Sequence, residues 1–389
     1  MKLEVVHALS PEMQKSWDAL TPDHEIYHKQ RFLRVLKDSN VENASMRFGL
    51  LRDNSDALIG CCIWSCFEVQ LDLMVDEAWL AAILKTVPRM TNVRMLVLGT
   101  PISLGQSHLI LPADQEQHDT AIKLLHQTTD ALAQEFGVHI LCGKEFRDDK
   151  LESPFFEHAG YIKTPSLPYF QMPIIWDNFK SYTNQMRHPY RRLMRQGLRK
   201  LSKEAQAWFN APEFGIHGEL QLCTLNNIDV RELHKLYLCV MSRAEVVLET
   251  LPLSFFEELQ REFGHELHCI GFTSNNAWVS LALMWPSKYT LHWMLVGRKE
   301  HTDSLKTYRN TVTAIIAWAI HLGKSHVDLG QTSAHAKCQA GAFPQDVRLW
   351  IRSRKQHIHL LLKFLTPLLF PETQTEPYHV FKPASSTTL

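Results

Sequence analysis

The strongest constraint on this fold is a segment order that occurs twice. In the second half, an alternating strand-like run at 219–225 precedes two helical stripes at 229–241 and 253–263. Three strand-like runs follow at 266–273, 277–285 and 289–296, parted by Ser274-Asn275-Asn276 and Pro286-Ser287-Lys288, both turn compositions. A long helix at 304–321 stops at Gly323, and a short apolar strand at 326–329 ends at Gly330. A short helix near 335–340 and a strand at 347–354 complete the series. The first half repeats this order loosely: a strand at 3–8, helices at 11–20 and 30–36, strands at 46–51, 57–69 and 93–98, then a long helix at 117–136 stopped by Gly137. A buried strand at 139–142, a short helix at 154–158 and a strand at 169–175 follow. In both halves the strand after the long helix precedes an Ala-Gly pair, Ala159-Gly160 and Ala340-Gly341. The repeat is one of element order and not of residues, and coincidence is the competing explanation.

The 389 residues suit two domains of roughly 190 each. We expect an α/β (α+β) chain with modules at 1–176 and 212–356, a basic helical linker at 177–211 and a tail at 357–389. The linker carries Arg187, Arg191, Arg192, Arg195, Arg199, Lys200 and Lys203 with leucines between them, the pattern of a basic amphipathic helix. Few aromatics interleave with these charges, so a base-stacking nucleic-acid surface is not expected. With 41 basic and 41 acidic residues the formal charge is zero, which gives no whole-chain steering toward polyanions. The eight cysteines lie mostly in apolar runs and show no C-x-x-C spacing, so neither a zinc ribbon nor a redox dithiol is expected, and no histidine spacing suggests another metal. The start has no apolar signal core, and the longest apolar stretch, 359–370, is too short to span a bilayer. A cytoplasmic setting is the expectation. The 358–370 stretch suits either packing on the second module or a membrane interface.

Certain residues of the second half carry a family resemblance. They are Leu236-Tyr237, Phe255-Phe256, the strand Trp278-Val279-Ser280-Leu281-Ala282-Leu283, Gly297, Tyr308, Asp328-Leu329-Gly330-Gln331, Lys337 and Gly341-Ala342-Phe343-Pro344. In these the chain resembles the FemAB-like, N-acyltransferase branch of the GNAT superfamily, which includes proteins of peptidoglycan biosynthesis or recognition. The resemblance implies two tandem GNAT-like modules, each a mixed, mostly antiparallel sheet flanked by helices, with the first a degenerate copy. It implies transfer of an acyl group to an amine, the carbonyl being polarised by backbone N–H groups where neighbouring strands splay. It also places Trp285 and Trp293 on the central strands beside the substrate. GNAT enzymes that bind acetyl-CoA carry a glycine-rich turn before the long helix; here that stretch is Gly297-Arg298-Lys299-Glu300-His301-Thr302-Asp303-Ser304, with one glycine. The donor is therefore open between an acyl-CoA or acyl carrier protein thioester and, as in FemAB-like relatives, charged tRNA. No tightly bound cofactor is expected. A non-catalytic protein that recognises a peptide or sugar-peptide is the reading from another class.

Individual residues extend this. Asp328 ends a buried strand, where open α/β sheets meet ligands, and can accept a proton; the plain alternative is a helix cap. Lys337 can hold an anionic donor or acceptor, or be a solvated lysine. Tyr308 can protonate a leaving group, or pack in the core. Gln331 and His335 stand between them and can orient substrate, and Arg243 can face the acceptor. Arg191, Arg195 and Arg298 are candidates for donor phosphates, against a solvated helix face.

Overall fold

The computed structural model describes residues 1–70, 92–147, 153–244, 247, 249–300, 305–370 and 378–383. The chain divides into two compact units. The first holds Met1–Leu167, Ala244–Phe255 and Asp346–Thr373, the second Pro168–Arg243, Phe256–Gln345 and Gln374–Leu389.

In chain order the first unit begins with β1 (Lys2–Val6), α1 (Pro11–Leu20), α2 (Gln30–Asp38), β2 (Ser45–Arg52), β3 (Leu58–Gln70), β4 (Asn92–Leu98) and β5 (Leu109–Ile110). Then come α3 (Gln115–Glu135), β6 (Ile140–Arg147), α4 (Ser153–His158) and β7 (Ile162–Pro165). The second unit has β8 (Tyr169–Pro173), α5 (Phe179–Gln185), α6 (His188–Leu198), α7 (Lys203–Trp208), β9 (Gly215–His217), β10 (Leu220–Thr224) and α8 (Val230–Met241). Next come α9 (Leu253–Phe263), whose first three residues fall in the first unit, and then, in the second, β11 (His268–Ser274), β12 (Ala277–Pro286), β13 (Thr290–Arg298), α10 (Thr307–His321), β14 (His326–Gln331), α11 (Ala334–Gln339) and β15 (Phe343–Gln345). Last are β16 (Val347–Ser353) and α12 (Gln356–Leu369), which belong to the first unit.

Among the described residues each unit has a mixed eight-stranded sheet. The first runs β1-β2-β3-β4-β6-β16-β7, with β5 on β3; the second runs β15-β8-β14-β13-β12-β11-β10-β9. Among the described residues, the parallel pair in each involves the strand after the long helix: β4 with β6, and β13 with β14. Both long helices stop at a glycine in the left-handed region, Gly137 (φ +66°) and Gly323 (φ +62°), where any side chain would be strained. The repeated element order is thus a repeated topology.

Two expectations are corrected by the pairing. The strand at 169–175 is expected to finish the first module and that at 347–354 the second. Instead β8 pairs with β14 in the second sheet, and β16 pairs with β6 and β7 in the first. The exchange is reciprocal, since β16 and β8 fill equivalent places beside the post-helix strand. Side chains suit it: Trp350 of β16 stacks on Phe156 at 5.0 Å in the first core, while Phe170 and Met172 of β8 are buried in the second. The module boundaries at 176 and 356 accordingly do not match where the chain divides.

The second correction concerns 177–211, which is no linker and no single helix. Pro189 opens α6, Ser202 caps α7 through its hydroxyl, and the segment breaks into α5, α6 and α7. Phe179, Tyr182, Met194, Ala205, Trp208 and Phe209 enter the second core. That core is built around α10, whose residues are buried on nearly every side, as a helix apolar all round requires. Asn310 of α10 donates to the carbonyls of Gly197 (3.1 Å) and Leu305 (2.7 Å), tying α6 to the start of α10. The tail also contributes, because Phe381 bridges to Met186 and Val380 is buried in this core. Among the described residues no helix is long and apolar enough to cross a membrane.

Candidate active site in the second unit

Strands β13 and β14 run parallel for only three pairs, Thr290–His326, Leu291–Val327 and His292–Asp328. Beyond Asp328 they part. On its other edge β13 carries a bulge: Leu283 faces Leu295 and Met284 faces Trp293, so Met294 opposes no residue of β12. The register of β14 with β8 also slips between Asp328 and Gln331. Irregularities on both strands open the sheet at one place, where backbone N–H and C=O groups leave their ladders.

A column of aromatic rings and cations stands beside this opening. The Arg298 guanidinium lies 5.7 Å from the centre of the Tyr308 ring, which is 5.7 Å from Trp293. The Lys337 ammonium lies over Trp293 at 5.2 Å and over Phe170 at 5.5 Å. Rings present a negative face to a desolvated cation, which makes such a stack favourable. Lys337 is only 2% exposed and donates to the carbonyls of Gly330 (3.1 Å) and Gln331 (2.5 Å), the last residues of β14. Burial pushes its pKa down to about 7, against the attraction of Asp328. Burial pushes the Tyr308 hydroxyl up to about 12, and Ser333 and Arg298 moderate that rise.

Asp328 is 7% exposed. One carboxylate oxygen accepts from the Gly330 amide (2.8 Å), and the other is 3.4 Å from His292 Nδ1. It therefore holds the backbone at the end of β14 and does not cap the following helix, whose N-cap is Ser333. On the far side of the imidazole, Nε2 lies 3.3 Å from the Ser287 hydroxyl. That hydroxyl is engaged by the hairpin turn, donating to the Thr290 carbonyl at 2.9 Å. Gly330, Thr332 and Ser333 have positive φ, as does Lys306 at the start of α10. Left-handed non-glycine residues cost energy and cluster where a site is held in a fixed shape.

The N-terminus of α10 borders a surface cavity of about 420 Å³ lined by Gln196, Gly197, Arg199, Lys200, Lys306 and Arg309. Lys306 supplies no side-chain cap, so the positive end of a 15-residue helix faces this basic hollow. Residues 301–304 of the stretch before α10 lie outside the described residues.

The structure brings together Asp328, Lys337, Tyr308, Trp293, Arg298 and the Gln331 backbone. It leaves five other expected residues elsewhere. Trp285 packs on Phe263 at 4.5 Å. Exposed His335 bonds Tyr378 and Gln339. Arg243 holds the carbonyls of Cys239 (2.7 Å) and Arg298 (2.8 Å), a bracket between α8 and β13. Arg191 donates to the Asn184 carbonyl at 3.5 Å, and Arg195 is exposed on α6; neither is among the residues that line the basic cavity. Phe170, His292 and Ser333 were not expected. Phe170 reaches the column only because β8 joins the second sheet, which no local pattern signals.

No protein-family model matches the chain, and no curated protein matches it in sequence. Solved structures do match in fold. FemX is 10% identical with a TM-score of 0.54, over 92% of this chain and 100% of that one. A tandem GNAT protein from the clavulanic acid biosynthesis pathway is 10% identical with a TM-score of 0.52, over 90% and 98%. L-PGS from Bacillus licheniformis is 9% identical with a TM-score of 0.50, over 93% and 98%. The doubled topology, with a likeness that covers nearly the whole of a tandem GNAT protein, gives this chain a tandem GNAT-like fold.

Proposed function

We propose that the second unit is an N-acyltransferase that moves an acyl group from an activated donor to an amine in the opening between β13 and β14. The observation that carries this reading is the parting of the two strands immediately after His292 and Asp328, with Lys337 and Tyr308 at the gap. In the proposed reaction the amine nitrogen attacks the donor carbonyl, whose oxygen takes hydrogen bonds from N–H groups released at the Met294 bulge. The carbonyl carbon parts from its leaving group, and the amine proton passes to Asp328, which His292 orients. Tyr308 donates a proton to the leaving atom. Lys337 fixes the end of β14 and sets a positive charge beside the developing oxyanion. The basic cavity at α10 takes the donor's phosphates.

One feature bears on the donor. A phenol pushed up to about 12 is poorly matched to a departing thiolate, which is basic only to about 8.5. An alkoxide, the leaving group of an ester, is far more basic and is the better match. This favours an ester donor such as charged tRNA over an acyl-CoA or acyl carrier protein thioester.

A thermal-shift screen against acyl-CoAs, acyl carrier protein thioesters and charged tRNA tests both levels, because a ligand of the folded state raises the melting temperature by mass action. A shift with any donor that R199A/R309A removes supports the site. Transfer to an amine acceptor in a radiolabel assay supports the activity. Donor-independent binding of a peptide or sugar-peptide, with no transfer, would replace it with the recognition reading.

A further inference from the structure

The C-terminal helix of the first unit carries a surface that its own unit leaves uncovered. One side of α12 packs toward β16 and β7. On the other, Leu360 is 60% exposed, Leu361 47% and Phe364 74%. At 100° per residue Leu360, Leu361, Phe364 and the exposed Pro367 fall on one stripe, so the apolar positions form a face. Single exposed leucines need no explanation, but a helix turning its largest apolar groups outward does.

Charge narrows the partner. Between Asp346 and Glu372 the sequence has no acidic residue, while Arg348, Arg352, Arg354, Lys355 and Lys363 punctuate it. Asp130 of α3 faces this region and takes up Arg352 and Arg354. Lys355 and Lys363 are exposed, at the start of α12 and beside the apolar stripe, and His357 is exposed on the same side. A second copy of the chain is a poor match. Three side chains offer far less than the roughly 800 Å² per partner of a stable interface, and like charges would meet. The helix has 14 residues, about 21 Å at 1.5 Å per residue, short of the ~30 Å needed to cross a bilayer. Lying in the plane of an anionic lipid surface satisfies both features: the stripe enters the acyl boundary and the lysines meet the head groups.

We propose that α12 docks the protein reversibly on anionic membranes through Leu360, Leu361 and Phe364, with Lys355 and Lys363 on the head groups. This does not depend on the acyl-transfer reading. The test is flotation of the full chain with vesicles of phosphatidylcholine plus phosphatidylglycerol, against phosphatidylcholine alone, at low and high salt. The protein should float with anionic vesicles, less so at high salt. L361E/F364E should lower the bound fraction at least about tenfold, and K355E/K363E should lower it on anionic vesicles, both with unchanged melting temperature because these side chains are exposed. Failure of the wild type to float with anionic vesicles would overturn the proposal. So would equal flotation of both variants, or a lipid-free dimer in sedimentation velocity that L361E/F364E breaks.

Discussion

Lys337 is the residue on which the site's chemistry and stability meet. Its ammonium is buried, yet it satisfies two carbonyls and stacks between two rings, so its charge is costly but matched. Its pKa falls from 10.5 to about 7 on folding. Between those values the unfolded chain binds the extra proton, so this group makes the fold more stable as pH rises from about 7 toward 10.5 and contributes no slope below about 7. In K337M that rise should vanish from urea titrations at successive pH values, while turnover falls at least about tenfold. A K337M enzyme with wild-type turnover would return Lys337 to a purely structural role. Y308F keeps the ring in the column and removes the proposed acid. Its turnover should fall by roughly 10²-fold with KM nearly unchanged, and the loss should be smaller with a donor whose leaving group needs no proton. D328N should lower turnover similarly, but it also weakens the hold on the Gly330 amide, so its melting temperature should drop too.

At the scale of elements, the exchanged strands set what can be cut away. A chain ended at residue 345 loses β16 and α12. If module order followed sequence order, the second unit would suffer. The observed pairing puts the damage to a sheet in the first unit: β6 and β7 lose their shared neighbour and should lose hydrogen-exchange protection, while the second unit loses the tail around Val380 and Phe381 but β11 to β14 keep their strand partners. Trp350→Ala makes the same point within the full chain. It should cost about 3–5 kcal/mol of first-unit stability, since Trp350 is 2% exposed against Phe156. In the second unit, Gly197 is where α6 meets α10: a Cβ there would sit 2.6 Å from the Asn310 amide oxygen. Gly197→Ala should therefore cost roughly 1–3 kcal/mol and weaken donor binding, because it displaces the helix start that borders the basic cavity. Calorimetry of the variant, read for melting and for donor affinity together, checks both.

Across the whole molecule the balance of charge conceals a local arrangement. Net charge is zero, but Arg199, Lys200, Lys306 and Arg309 gather at one cavity in the second unit. A polyanionic donor held there should bind with a salt dependence set by these few contacts and not by the protein's overall field. For charged tRNA, R199A/R309A should reduce the slope of log affinity against log salt by roughly 1–2. R191A/R195A, on cations outside that cavity, should leave the slope unchanged.

Much of this was legible in the residues themselves. Helix-stopping glycines, turn compositions and the period of apolar residues are local properties, so the sequence by itself determined the element order, its duplication and the placement of Asp328 on the strand after the long helix; that this strand runs on to Gln331, with only its pairing to β13 ending at Asp328, it did not show. Lys337 and Tyr308 were visible as chemistry near that strand. Pairing between distant strands is not local. An alternating strand declares that it will pair but not with what, so only the tertiary structure decided that β8 and β16 change sheets, and with them that Phe170 reaches Lys337. Helix position is likewise set by packing: the same basic segment that reads as one solvated helix broke into three because its apolar residues had α10 to cover. That packing moved the cationic cavity to Arg199, Lys200, Lys306 and Arg309, and left Arg191 and Arg195 outside it.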